Sequence, residues 1–222
     1  MTVETAPELD ARTLANLAAA HTVDGVPADR RRVPYRNIRH VLALHTKTAG
    51  RRPYLLYLDG QGEKDALSYA EFNARVHQTA NFLHDDLGVR RGDRVATIAY
   101  NHSETVLVYF ACWIIGAAVA PQNVAEDDQR IAFILRNSEA VVCIARAEYL
   151  ERAERIVNGP ESEGLGAPNI REIVQMGGAA SPAYKHYNTL VKNLPNTYLG
   201  DGAAVKSDDD AIRIDPDGAT PG

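Results

Sequence analysis

Apolar positions along this chain change their spacing in a regular way. From Asn37 to Thr48, Ile38, Val41, Leu42 and His45 recur at helical spacing, which predicts a helix. Pro53 to Asp59 (PYLLYLD) is dense in aromatic and aliphatic residues and reads as a strand. Gly60 to Glu63 reads as a turn and Asp65 to Ser68 as a second short strand, together a hairpin. Ser68 and Glu71 then form an S-x-x-E capping box, in which each side chain satisfies an orphan backbone donor. Phe72, Val76, Ala80, Leu83 and Leu87 follow as one apolar stripe, and Gly88 stops the helix.

Beyond Gly88 strands and helices alternate. Strands are predicted over 93–100, 117–121, 140–145 and 170–175, and helices over 102–115, 126–137 and 148–157. Alternation at this length implies βαβ units and a parallel sheet with helices on its faces. The fully apolar strand AVVCIA, from Ala140, suits burial on both sides. Val106 to Pro121 is uncharged for 16 residues. That is short of the roughly 18–20 needed to span a bilayer, so a buried helix and strand is the better reading. Asn158 to Pro168 and Gly177 to Pro182 read as loops, and Tyr184 to Asn193 as a short helix. Leu9, Leu14 and Leu17 support a short helix within a weakly ordered lead-in, residues 1–35. Residues 36–194 form the expected α/β domain, and residues 195–222 an acidic irregular tail.

Composition adds limits. The chain has 222 residues, 45% hydrophobic and 24% charged, ordinary usage for a globular protein. The net charge is −5, of which −4 lies between Asp201 and Gly222, where six Asp face Lys206 and Arg213. No basic stripe suggests a nucleic-acid partner. Arg30, Arg31 and Arg32 read as a solvated run rather than a phosphate contact. Cys112 and Cys143, both in apolar surroundings, behave as small hydrophobes and favour a reducing, cytoplasmic setting. The first 30 residues lack the apolar stretch of a signal peptide.

Candidate chemistry is sparse. Neither G-x-G-x-x-G nor G-x-x-x-x-G-K-[ST] occurs, and no G-x-S-x-G elbow supports a hydrolase triad. Met176 to Pro182 (MGGAASP), just after a predicted strand, could bring backbone N–H groups to a phosphate. A plain turn explains it as well and carries more weight. His40 and His45 do not share a helical face, and His77 and His84 share one only two turns apart, so neither pair reads as a metal site. Tyr109 and Trp113 could line a pocket, though core packing is the default on so apolar a helix. Asp127 and Asp128 suit the positive end of a helix without any catalytic role.

Four stretches, in order, resemble the adenylate-forming enzymes, the acyl-CoA synthetase or AMP-binding superfamily. Leu67 to Phe72 (LSYAEF) is similar to that family's early L-[ST]-Y-x-E-[LF] signature. LGVRRGDRVATIAYN (87–101) resembles its L-G-[VI]-x-x-G-D-x-V-A strand entry. ACWIIGAAVAPQN (111–123) resembles A-x-x-x-G-A-[VI]-x-x-P-x-[ND], and AEDDQRIAFILRNSEAVVCIA, from Ala125, continues it. The match covers about Asn37 to Val157. It resembles most the fatty-acyl, fatty-acid-transport or carnitine-type branches, although Pro121-Gln122-Asn123 departs from their usual Pro-Ile/Leu-Asp/Asn.

The resemblance implies two-step chemistry. ATP and a carboxylate, such as a fatty acid, give an acyl-adenylate, and CoA then takes the acyl group as a thioester, with Mg²⁺ neutralising phosphate charge. The family's Thr/Ser/Gly-rich phosphate loop ending in Pro-Lys-Gly has no counterpart here. Gly218-Ala219-Thr220-Pro221-Gly222 has no lysine. The later adenine motifs and the C-terminal lysine domain are missing too. No catalytic, cofactor-binding or metal-binding residue is therefore carried over. The expectation is the N-terminal portion of an acid–CoA ligase, inactive by itself, binding none of its cofactors tightly and prone to self-association through uncovered apolar surface. A stand-alone binding or assembly module is the alternative. A nucleotide-dependent oxidoreductase rests on fold analogy alone. Membrane association and the acyl chain are left open.

Overall fold

The computed structural model describes residues 10–20, 22–23, 26–27, 35, 37–60 and 62–198. The chain divides into two compact units, residues 1–36 and 37–222. In the first, helix α1 (Ala11–Ala20) and a two-stranded antiparallel pair, β1 (Thr22–Val23) and β2 (Val26–Pro27), occupy the lead-in. Leu14 and Leu17 of α1 are exposed. Leu9, Arg30 to Arg32 and the acidic stretch from Asp201 lie outside the described residues.

The second unit opens with α2 (Ile38–Ala49), whose N-cap Asn37 accepts the His40 amide at 3.0 Å. The hairpin follows as β3 (Pro53–Asp59) and β4 (Gly62–Ser68). Its second strand starts at Gly62 rather than Asp65, because pairing runs on to Asp59↔Gly62 across a tighter turn. Helix α3 (Tyr69–Asn81) begins at the predicted capping box, with both reciprocal bonds formed. It does not stop cleanly before Gly88. A π-turn over Phe82–Asp86 extends it, with the Leu87 amide bonded to Phe82 O at 3.2 Å. That extension keeps Phe82 and Leu83 fully buried.

Next come β5 (Arg94–Ile98), α4 (Ser103–Ile115), β6 (Ala118–Gln122), α5 (Asp128–Asn137), β7 (Val142–Arg146), α6 (Leu150–Asn158) and β8 (Glu172–Met176). A two-residue strand β9 (Lys185–His186) precedes α7 (Tyr187–Val191). The predicted helix over 184–193 is thus shorter than expected. Its first residues extend instead to pair with β8, Val174↔Lys185 and Gln175↔His186. So brief a strand carries no alternation to reveal it.

The sheet is parallel throughout, in the order β6-β5-β7-β8-β9. Alternate residues feed two cores, as the two-residue side-chain period of a strand requires. Val95, Val119, Val142, Ile144, Val174 and Met176 meet α3, α4 and α7 on one face. Ala96, Ile98, Ala120, Cys143, Ala145 and Ile173 meet α5 and α6 on the other. Every residue of β7 is buried. The expected doubly covered α/β sheet is what forms. Cys112 and Cys143 fall in different cores. Burial pushes the Cys143 thiol up to about 12 and raises that of Cys112 further.

At the turn into β6, Gly116 has φ +88°, and a Cβ there would stand 3.0 Å from Arg91 Cγ. The positive φ favours glycine there, and a side chain would also crowd Arg91. Among the described residues no helix is long and apolar enough to cross a membrane.

Ile144 is fully buried in β7, between β5 and β8. Ile144→Ala is expected to lower the unfolding free energy by about 2–5 kcal/mol, through lost transfer energy plus the cavity left behind. Urea unfolding should show a lower midpoint with little change in slope.

Candidate functional site at the carboxyl edge of the sheet

In this strand order the chain leaves β5 toward one side and β7 toward the other. The crevice between their carboxyl ends is where open α/β sheets place ligands. Tyr100, His102 and Glu104 stand there after β5, and Arg146 and Glu148 at the end of β7.

Arg146 organises the group. Its side chain is 8% exposed. Nη1 donates to Glu104 Oε2 at 3.0 Å, and the guanidinium lies 4.6 Å from the Tyr100 ring centroid. Nε stands 3.7 Å from Glu148 Oε2, beyond hydrogen-bonding distance. Glu104 also accepts from the Asn188 side chain on α7. Asn188 Oδ1 in turn accepts the Gly177 amide at 2.7 Å. One arginine thus ties β5, α4, β7, α7 and the loop after β8.

His102 is the N-cap of α4. Its Nδ1 accepts the Glu104 amide at 3.2 Å, and its ring packs 4.3 Å from that of Tyr57 on the hairpin. Burial lowers its pKa and Arg146 lowers it further, against the opposing pull of Glu104. Burial raises the pKa of the Tyr100 hydroxyl.

The Gly177-Gly178 loop answers the phosphate-cradle question. Both glycines have positive φ, +75° and +68°. A Cβ on Gly177 would come within 2.8 Å of Arg146 Nη2, and one on Gly178 within 2.6 Å of Ala147 Cβ. The loop therefore closes directly onto the end of β7. Gln175 fills it from beneath, donating to Gly177 O at 3.0 Å and Ala179 O at 2.6 Å while accepting the Ser181 amide at 2.9 Å. The turn reading holds. The Gly177 amide is already committed, and the single arginine faces two carboxylates. Among the described residues no three His, Cys, Asp or Glu side chains cluster to hold a metal ion.

The remaining candidates take structural places. Tyr109 and Trp113 pack against the first core, where Phe110 stands 4.9 Å from Trp113 and 5.0 Å from Phe72. Asp127 caps α5 through the Arg130 amide at 2.7 Å. Asp128 accepts from Arg152 and Arg155, each at 2.6 Å. Burial raises its pKa, but the two arginines prevail and hold the carboxyl below the usual range. His40 sits in the first turn of α2, and the His45 ring stacks 5.4 Å from Tyr69. His77 and His84 do converge, on Tyr198: His77 Nδ1 accepts the Tyr198 amide at 2.9 Å, and the His84 ring lies 5.6 Å from that of Tyr198. Sequence spacing missed the Arg146–Glu104–Asn188 assembly. Its members are 42 and 84 residues apart, and none belongs to a motif.

Two outcomes follow. Glu104→Ala leaves a buried guanidinium short of its carboxylate and should cost about 3 kcal/mol. In a double-mutant cycle with Arg146→Met the coupling should exceed about 1 kcal/mol; strict additivity would deny the pair. The second concerns pH. Folded His102 binds its proton at lower pH than the unfolded chain does, so its contribution is present above pH about 6.5 and is lost as pH falls below that value. His102→Asn, a cap that does not titrate, should flatten that part of the stability profile.

Comparison with known proteins agrees with this architecture. The family model described as AMP-binding enzyme matches residues 43–210. Long-chain fatty acid transport protein 2 of Rattus norvegicus is 30% identical over 152 residues, 68% of this chain and 23% of that protein. The crotonobetaine/carnitine–CoA ligase of Salmonella paratyphi A is 30% identical over 123 residues, 55% of this chain and 24% of the ligase. The chain thus spans about a quarter of the length of these curated relatives. A solved anthranilate CoA ligase in complex with anthranoyl-AMP shares the fold, with a TM-score of 0.64, 24% identity, and coverage of 78% of this chain and 31% of that one. With a family match over three quarters of its length, this chain belongs to the AMP-binding enzymes.

Proposed function

We propose that the chain serves an ATP-dependent carboxylate–CoA ligase as part of its large N-terminal domain. The observation that carries this reading is the family match over residues 43–210, set against relatives of which the chain covers about a quarter. Two of those relatives bear the names of a fatty acid transport protein and a carnitine-type CoA ligase, which makes a carboxylic acid, activated as its adenylate and transferred to CoA, the substrate class. The carboxyl-edge residues hold the scaffold rather than a nucleotide. ATP, Mg²⁺ and CoA would be bound by parts of the family's architecture outside this chain, and the 222 residues alone are inactive. Free buried thiols at Cys112 and Cys143 suit a cytoplasmic setting.

A second reading, a stand-alone non-catalytic binding or assembly module, draws on a different observation. Residues 37–198 close two cores of their own around one sheet. ATP–pyrophosphate exchange separates the claims. With a panel of fatty and aromatic acids, the isolated chain should show none, and robust exchange would overturn the inactivity. The same chain should restore exchange when joined to the remaining domains of a carnitine-type ligase in place of that enzyme's own segment. Failure of a folded hybrid would favour the module.

Self-association belongs to the same proposal. Leu56 and Leu58 on the hairpin and Phe133 on α5 are 52%, 64% and 49% exposed. Uncovered apolar side chains beside open strand edges promote association. Light scattering should find oligomers of the isolated chain, and L56K/L58K should shift it toward monomer. A wild-type monomer at high concentration would count against uncovered surface.

A further inference from the structure

Helix α3 carries a row of side chains that bind backbone rather than other side chains. Gln78 Nε2 donates to Lys192 O at 3.3 Å and Leu194 O at 3.0 Å. Asn81 Nδ2 donates to Pro195 O at 2.7 Å and Thr197 O at 3.1 Å. His77 Nδ1 accepts the Tyr198 amide at 2.9 Å. Residues 192–198 therefore lie along α3 as a strap, with Tyr198 buried at its end. Behind it, α7 is anchored to the same helix by the bond between Thr79 Oγ1 and the Tyr187 hydroxyl, 2.8 Å.

The bonds differ in kind. Gln78 and Asn81 are amide donors whose strength does not change with pH. His77 is an acceptor, and an imidazole nitrogen accepts only while it carries no proton. A proton on Nδ1 would set two N–H donors against each other at the strap's last bond. The neighbours reinforce this. Arg39 on α2 holds its guanidinium 5.3 Å from the Tyr198 ring centroid, anchored by Nε to Ile114 O at 2.6 Å. His84 in the π-turn faces the same ring, and its Nδ1 is paired with Asp85 at 2.7 Å. Burial lowers the His77 pKa, and Arg39 lowers it further.

We propose that His77 is a proton-operated latch: neutral, it fastens residues 192–198 along α3, and protonated, it releases the Tyr198 end while Gln78, Asn81 and the Thr79–Tyr187 bond keep the rest docked. The direction is fixed by the acceptor role. The strap is fastened at neutral pH and loosens as pH falls through the His77 pKa, which burial and Arg39 hold below the usual histidine range.

The test uses the labelled 222-residue chain. Hydrogen exchange at the Tyr198 amide is followed between pH about 7.5 and 5, corrected for intrinsic exchange, while ring resonances report His77 and His84 separately. Protection at Tyr198 should fall about tenfold, the scale of one hydrogen bond, with a midpoint matching His77 and not His84. His77→Asn retains an acceptor that cannot titrate and should keep protection level across the range. His77→Phe should lower protection of the amide throughout and remove its pH dependence. The proposal fails if protection stays constant while His77 titrates, or if His77 does not titrate before the whole domain unfolds. It fails equally if His77→Asn loses protection as the wild type does. Should either variant fail to fold, coincidence of the two wild-type midpoints decides.

Discussion

Burial of one parallel sheet on both faces is the constraint from which the rest follows. A parallel strand with apolar residues at every position needs a helix layer on each side. β7 meets that demand along its whole length, sending Val142 and Ile144 to one core and Cys143 and Ala145 to the other. The helices must then cross from face to face between strands. That fixes the strand order and creates the crevice at the ends of β5 and β7. Each connecting turn has to be tight, which is why Gly116 and the Gly177-Gly178 pair stand where a side chain would collide.

Arginines close what the helices leave open. Arg136 Nη1 reaches the carbonyls of Gly164, Leu165 and Gly166 at 3.3, 3.0 and 2.9 Å. Arg94 Nε binds Ser138 O at 2.6 Å, and Arg171 Nη2 binds Gly88 O at 2.8 Å. Loop carbonyls without strand partners would otherwise lose hydrogen bonds on folding. Arg146 is the deepest of these side chains, and it binds a carboxylate rather than a carbonyl. Its charge is consumed in holding α4, α7 and the glycine loop in register. The carboxyl edge of the sheet is thus a braced platform.

The capping box at Ser68, the α3 stripe and the βα rhythm after Gly88 were legible because each is written in neighbouring residues. So was the family, through the ordered segments from Leu67 to Ala145. Other features were not legible. β9 is two residues long, and the π-turn at Phe82 leaves no mark on apolar spacing. The Arg146–Glu104–Asn188 assembly unites residues that share nothing in sequence but polarity. His77 and His84 read as a failed metal pair, yet they meet at Tyr198, more than a hundred residues on.

The sequence by itself determined the longer elements, the two-sided apolar strands and the membership of a family, because period, capping and turn chemistry are local and act within a few residues. Only the tertiary structure decided which charged and polar side chains have partners and what those partners require. A buried arginine, a glycine beneath a guanidinium or an imidazole that accepts a distant backbone amide is defined by distance in space, and chain spacing carries no measure of that.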